Sequence, residues 1–281
     1  VLTQFPPPIY QDLLLEEIDL TDSKINRAGE NLYQEFISRS EFSIMTSVDA
    51  PSTIDESYAI QDVYMDLKAA DSGGFAGYKI AYTTKVMQQR LGAKEPVYGR
   101  VLSDTVFESP VTLASADYVR IGVECEVAVF VSKDMSISDS PFDKDSVYDS
   151  LGDIALAFEI IDGRSSAGEP TVPQSIATNI SGAGIVLGKP VHNWRDLDIP
   201  SAKCELFLND ESVGVGKGSD VNGHPVEPMT WIANSLASRG RSLKAGDIVI
   251  TGSMIPPVFL DQGVTALVEM GHLGSVTLNV E

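Results

Sequence analysis

The 281-residue chain carries 20 Lys and Arg against 40 Asp and Glu, a formal net charge of −20, which argues against nucleic acid or anionic lipid as a partner. Its apolar fraction of 43% suits a globular core, and no apolar run approaches the roughly 20 residues that a membrane span needs. Cys125 and Cys204 are the only cysteines, too few for a disulfide framework, and the first twenty residues lack the basic start of a secretory signal, so a cytoplasmic protein is expected.

Residues 1–10 hold a PPP run and read as an extended arm. Leu13 to about Ser47 has helical character, with Ser23 as a cap ahead of Ile25, Leu32, Tyr33, Phe36 and Ile37. A second helix is expected from Thr53, with Asp55 and Glu56 in its first turn, where they complement the helix dipole. It runs through Tyr58, Ile60, Val63, Tyr64 and Leu67 and breaks at Asp71–Gly74. Residues 1–65 thus form an N-terminal arm and helical layer, and 66–281 the main domain.

Gly77–Tyr82 reads as a strand and Lys85–Leu91 as a helix ended by Gly92. Arg120–Phe130 is a buried strand, followed by a polar loop or lid at Lys133–Asp145. Val147–Ile161 passes from helix to strand, and Ser165–Pro173 is a second, mobile loop. Short β segments follow at Gly182–Leu187, Cys204–Leu208, Ser212–Gly216, Ile248–Thr251, Thr265–Met270 and Ser275–Val280, with one helix, Pro228–Arg239, among them. Many short strands with few helices imply a β-rich α+β fold.

The chemistry begins in RIGVECEVAVF. A strand repeats every two residues, so Glu124 and Glu126 share a face about 7 Å apart, together with Ala128 and Phe130. Two unpaired carboxylates are costly on so apolar a face. Either this is an edge strand with its glutamates in water, or the pair holds a divalent cation. Glu159 interrupts a second apolar run, Ile154–Ile161. Three carboxylates form a hard-oxygen donor set suited to Mg²⁺ or Mn²⁺. Zinc fits less well, because no histidine is near and Cys125 points to the other face.

With the E-x-E strand stand YAIQ (Tyr58–Gln61), GYKIAYTT (Gly77–Thr84), the run Gln88–Asp104, AFEIIDGR (Ala157–Arg164), TNISGAG (Thr178–Gly184), KGSDVNGHP (Lys217–Pro225), AGDIVITGS (Ala245–Ser253) and the closing GHLGSVTL. In this order, over residues 56–280, the chain resembles the fumarylacetoacetate hydrolase superfamily, in its 2-oxo-4-pentenoate hydratase and 4-oxalocrotonate decarboxylase branch. The resemblance implies a rolled, mixed β-sandwich with a metal at its open mouth, held by Glu124, Glu126 and Glu159.

It also implies roles for other residues. Lys79, which by itself reads as a snorkelling strand residue, becomes a catalytic lysine, although Ala81 replaces a glycine of the family motif. Asp104, otherwise a turn aspartate, becomes a candidate proton carrier. Ser181, Thr251 and Ser253 would cradle the substrate carboxylate. Arg100 and Arg164 are candidates to meet a distal carboxylate. The hydrolase members use a histidine base ahead of the E-x-E strand, and this chain has no histidine before His192.

The expected activity is hydration of a 2-hydroxy-2,4-dienoate to a 4-hydroxy-2-oxo acid. The alternative is 2-oxo-3-hexenedioate decarboxylation, with C–C hydrolysis of an acylpyruvate behind it. The expected partner is a small 2-oxo or 2-hydroxy acid, and the expected assembly a homo-oligomer.

Overall fold

The computed structural model describes residues 8–165 and 168–281. The first helix, α1, spans Pro8–Ile37. No glycine interrupts it before Gly29, and Pro8 suits a first-turn position because its missing N–H has no helical partner there. Ser23, expected as a cap, lies inside α1, where its hydroxyl accepts from Arg27 Nη1 at 2.7 Å. Of the expected extended arm, residues 1–7 lie outside the described residues, and residues 8–10 are helical rather than extended. Helix α2, Ile54–Ala69, starts as its sequence requires: Thr53 Oγ1 accepts from the Glu56 N–H. Ser52 N–H and Lys24 hold the Glu56 carboxyl at a pKa of about 2.

Strand β1 (Phe75–Ala81), helix α3 (Lys85–Leu91) and strand β2 (Val97–Leu102) follow, then the short strands β3 (Val106–Glu108) and β4 (Val111–Leu113). Strand β5 is Ile121–Val131; helix α4 (Lys144–Tyr148) leads into β6, Leu151–Asp162. Helix α5 (Val172–Ala177) precedes β7 (Gly182–Leu187), β8 (Lys203–Leu208) and β9 (Glu211–Lys217). Helix α6 (Pro228–Ser238) precedes β10 (Ile248–Ile250), β11 (Val258–Phe259), β12 (Thr265–Met270) and β13 (Ser275–Val280).

These strands make two sheets. The larger has the order β2-β1-β10-β5-β6-β7-β3, with β11 added beside β5; the smaller has the order β4-β13-β12-β8-β9. Between them lies the main core, where Val123, Cys125, Val127 and Val129 of β5 meet Leu206, Val268, Val276 and Leu278. The larger sheet curls until β2 comes against β7. Small side chains permit the curl: Ala128 and Ala157 line the inside of the roll with Val101, Ile185 and Ile250. The expected rolled sandwich is therefore observed. Both cysteines are free and buried, and no described helix is long and apolar enough to cross a membrane.

Strands β2, β3, β4 and β11 and helix α5 depart from the sequence reading. Gly99 and Arg100 break any alternation in VYGRVL, yet these residues form β2, antiparallel to β1. In the expected loop Ser165–Pro173, residues 166 and 167 lie outside the described residues, and Thr171 caps α5 through a reciprocal bond pattern with Gln174.

The helical layer covers the roll's β2 side. Leu32, Ile60, Tyr64 and Met65 pack with Leu102 and Ala177. The expected boundary at residue 65 falls inside α2, which continues to Ala69. Arg164 fastens the layer. Its Nε donates to Asp162 Oδ2 at 2.6 Å, and its Nη1 donates to the carbonyls of Glu35 at 3.2 Å and Ser40 at 3.1 Å, at the end of α1. It caps a helix and is not free to meet a substrate.

Because both partners are buried, Arg164→Met strands a buried Asp162 charge and should lower unfolding stability in urea by about 3–5 kcal/mol. Arg90→Met, which breaks only an exposed pair with Glu169, should cost less than about 1 kcal/mol. Equal losses would show that Arg164 is not the fastener.

Candidate metal centre

Register decides which side chains meet. In the β5–β6 ladder Glu124 lies opposite Glu159, and Cys125 opposite Phe158; a one-residue slip would send every one of them to the other face. As paired, Glu124 and Glu126 project with Glu159 toward the inside of the roll. One carboxylate oxygen from each lies within 4.8 Å of the others. Glu126 and Glu159 are buried, and Glu124 is partly buried. At such spacing each ionised pair repels by roughly 3 kcal/mol at an effective dielectric of about 20.

Lys79 projects from β1 into the same space and is 2% exposed. Its Nζ pairs with Glu159 Oε1 and donates to the Ile180 carbonyl at 3.0 Å. Among the described residues it pairs with no carboxylate but Glu159, so the ammonium sits at the edge of the triad and does not fill it. Burial opposes its charge, yet Glu159, Glu124 and Glu126 together hold its pKa above the ordinary lysine value.

The carboxyls move the other way. Burial, reinforced by Glu159, pushes Glu124 up to about 7. Burial also raises Glu126, with Glu159 and Glu124 adding to it and the Gly252 N–H opposing, and it raises Glu159 against the pull of Lys79. Three carboxylates against one ammonium leave two negative charges without a partner. Among the described residues Glu159 Oε2 has no hydrogen-bond partner within bonding geometry. An all-oxygen, doubly under-compensated cluster fits a divalent cation, and the donors present fit Mg²⁺ or Mn²⁺ chemistry.

The backbone that frames the cluster is unusual. Asn179, Ile180 and Ser181 are three consecutive non-glycine residues in left-handed conformation, at φ 55°, 50° and 58°, a costly arrangement. The buried Asn179 side chain holds it: Oδ1 accepts from Arg100 N–H at 2.7 Å, and Nδ2 donates to Arg100 O at 3.0 Å. That turn delivers the Ile180 carbonyl to Lys79. Gly182 follows because a Cβ there would come 2.8 Å from Lys79 Cδ.

The remaining expected residues are dispersed. Thr251 is fully buried, and its hydroxyl donates to Val127 O at 3.1 Å. Ser253 Oγ donates to Ile255 O at 2.5 Å. Between them, the Gly252 N–H reaches Glu126 Oε2 at 2.7 Å; Gly252 has φ +115°, and a Cβ there would meet Thr83 Oγ1 at 2.3 Å. The TGS segment therefore anchors a carboxylate of the protein. Ser181 is partly exposed in the left-handed turn, beside Gly182. Asp104 is exposed on a 3₁₀ turn, Ser103–Thr105. Arg100 stacks on Phe75 and pairs with Asp66 at 2.7 Å. His224 is structural, its Nδ1 accepting from Val226 N–H at 3.0 Å.

Sequence reading missed Asn179 and Gly252 as framing residues. The TNISG and ITGS strings were visible, but the roles belong to backbone atoms. It also missed Lys68. A narrow cleft opens beside the triad, lined by Lys68, Lys79, Arg100, Thr105, Glu159 and Gly182 among others.

Residues 84–281 match the family described as fumarylacetoacetate (FAA) hydrolase, C-terminal. The chain is 30% identical over 239 residues to the 2-oxo-hept-4-ene-1,7-dioate hydratase of Escherichia coli, covering 82% of this chain and 88% of that relative. It is 30% identical over 222 residues to a 2-keto-4-pentenoate hydratase of Paraburkholderia phymatum, covering 78% and 83%. With the 2-hydroxyhexa-2,4-dienoate hydratase of Comamonas testosteroni it shares 28% over 236 residues, covering 83% and 89%. The fold is similar to that of 4-oxalocrotonate decarboxylase from Pseudomonas putida G7, complexed with magnesium and adipate, at a TM-score of 0.83 and 20% identity, covering 92% and 98%.

A carboxyl whose pKa rises on folding stabilises the native state fully below its ordinary value of 4.5, and that contribution is lost as pH climbs through about 7. Metal-free protein should therefore melt lower at about pH 7.5 than at about pH 5.5, and Mg²⁺ should raise Tm more at the higher pH. Thermal unfolding in EDTA checks this. Glu124→Gln should flatten the slope, and an unchanged slope would remove Glu124 as its source.

Proposed function

Because the chain belongs to the fumarylacetoacetate hydrolase family, we propose that it is a divalent-metal-dependent hydro-lyase that adds water to a 2-hydroxy-2,4-dienoate, giving a 4-hydroxy-2-oxo acid. The observation that carries this reading is the cluster of three carboxylates with one buried ammonium at its edge. Three hydratases among the relatives support the reaction class. The hydrolase chemistry of the superfamily is disfavoured, since no histidine precedes the E-x-E strand.

Glu124, Glu126 and Glu159 would hold Mg²⁺ or Mn²⁺, with Glu126 oriented by the Gly252 N–H. When bound, such an ion supplies Lewis-acid stabilisation of negative charge on the substrate's 2-oxygen. Lys79 Nζ has three protons to donate. One stays on the Ile180 carbonyl; the others turn from Glu159 to the substrate, where the ammonium offsets charge at the 2-oxygen or gives a proton to an adjacent carbon and regains one from the water whose hydroxyl adds at C4. Burial of Lys79 and Glu159 keeps bulk water from competing for those contacts. The two free, buried cysteines suit a reducing, cytoplasmic setting, and a homo-oligomer completes the proposal.

Mg²⁺-loaded protein should bleach the dienoate absorbance of 2-hydroxypenta-2,4-dienoate or a longer homologue without releasing CO₂. EDTA or Glu126→Ala should abolish the activity. Lys79→Met should cut kcat by about 10²–10⁴-fold while Mg²⁺ affinity, read by calorimetry, moves far less. CO₂ release from 2-oxo-3-hexenedioate with no bleaching of any dienoate would replace hydration by decarboxylation, and activity persisting in both EDTA and Glu126→Ala would end the metal reading.

A further inference from the structure

Lys68 is a buried cation with no anion. It stands in the last turn of α2 and is 7% exposed. Among the described residues it forms no ion pair. Its Nζ lies 3.7 Å above the Phe36 ring centroid and 5.2 Å from that of Tyr64. A ring face offsets only part of the cost of desolvating an ammonium. The nearby acids do not supply the difference. Asp162 is bound by Arg164 at 2.6 Å, and Asp104 faces water. Burial, with Arg164 adding to it, pulls Lys68 down to a pKa of about 8, against the opposing pull of Asp162 and Asp104; most of its charge survives at neutral pH.

What Lys68 does face is the cleft. Three cations line it, Lys68, Lys79 and Arg100, with Glu159 as the one carboxylate, and Glu159 already belongs to the triad. Arg100 brings a second shortfall, a buried Nε with no partner. Lys79 is taken up by Glu159 and Arg100 by Asp66, so Lys68 carries the charge left to receive an anion. Lys79 and Glu159, at the metal end where a 2-oxo acid would place its first carboxylate, share the cleft's lining with Lys68 of α2.

We propose that Lys68 binds the far carboxylate of a dicarboxylic 2-oxo acid, with Arg100 beside it, and so selects dioic over monocarboxylic substrates. The inference rests on the 2-oxo acid reading above and narrows it. The relatives include hydratases named for both a dioate and a monocarboxylate, so likeness leaves the choice open, whereas Lys68 decides it.

The test is calorimetric binding of two unreactive ligands of equal carbon count, 2-oxoadipate and 2-oxohexanoate, to the Mg²⁺-loaded full chain. Wild type should bind the diacid at least about tenfold more tightly. Lys68→Met should bring the affinity ratio to about 1, and Lys68→Arg should restore part of it. Lys68→Gln serves as a second neutral variant should the first misfold. Equal affinities in wild type, a ratio unchanged in both neutral variants, or no diacid binding overturns the proposal. If the diacid preference stands but no dienoate is hydrated, the hydratase reading fails and the Lys68 site survives. If hydration proceeds equally on mono- and dicarboxylic dienoates and the variants leave that ratio alone, the Lys68 site fails and the reaction survives.

Discussion

Repulsion among three acid side chains is the constraint on which this molecule turns. Glu124, Glu126 and Glu159 are pressed together on the inside of a rolled sheet, where each would prefer to be protonated. One lysine cannot neutralise all three. The fold tolerates the deficit because β5 and β6 lie at the centre of the large sheet, paired along most of their length. The ladder is stabilised by the apolar residues on the opposite face, Val123, Val127 and Phe158 among them. The strands are alternately core and site: one face supplies the burial, and the other holds the charge that a cation must balance.

The second layer of organisation is backbone geometry. The left-handed run Asn179–Ser181 and the glycine at 252 are both strained or glycine-dependent, and both aim main-chain atoms at the charged cluster. The Ile180 carbonyl steadies Lys79, and the Gly252 N–H steadies Glu126. Strain at such places persists only where the surroundings over-determine it. Here Asn179 does so, by pairing with both backbone groups of Arg100. A site whose side chains are positioned by such rigid contacts needs little reorganisation when charge develops on a substrate.

The helical layer connects stability to chemistry. Arg164 bridges the end of β6 to the end of α1, three residues beyond the apolar run that carries Glu159. Helix α2 then roofs the cleft with Met65 and Lys68. The helical layer thus covers β2 and, through α2, forms a wall of the candidate substrate cleft.

Much of this was legible in the chain. The period-two pattern of Arg120–Phe130 determined that Glu124 and Glu126 share a face, since pleat geometry allows nothing else, and the apolar run around Glu159 marked a third acid as either a strand end in water or a ligand. Capping and breaker residues placed α2, α3 and α6 to within a few positions. The sequence could not say that β1 runs parallel to β10 and antiparallel to β2, because pairing partners distant in the chain leave no local signal. It named Thr251 and Ser253 for a substrate carboxylate and Arg100 and Arg164 for a distal one, but left no mark of the Gly252 N–H on Glu126 or of Lys68, which among the described residues forms no ion pair. Side-chain chemistry and local period are written in the order of residues. Which cation loses its counter-ion, and which amide meets which carboxylate, follow from long-range packing and existed only once the sheet had rolled.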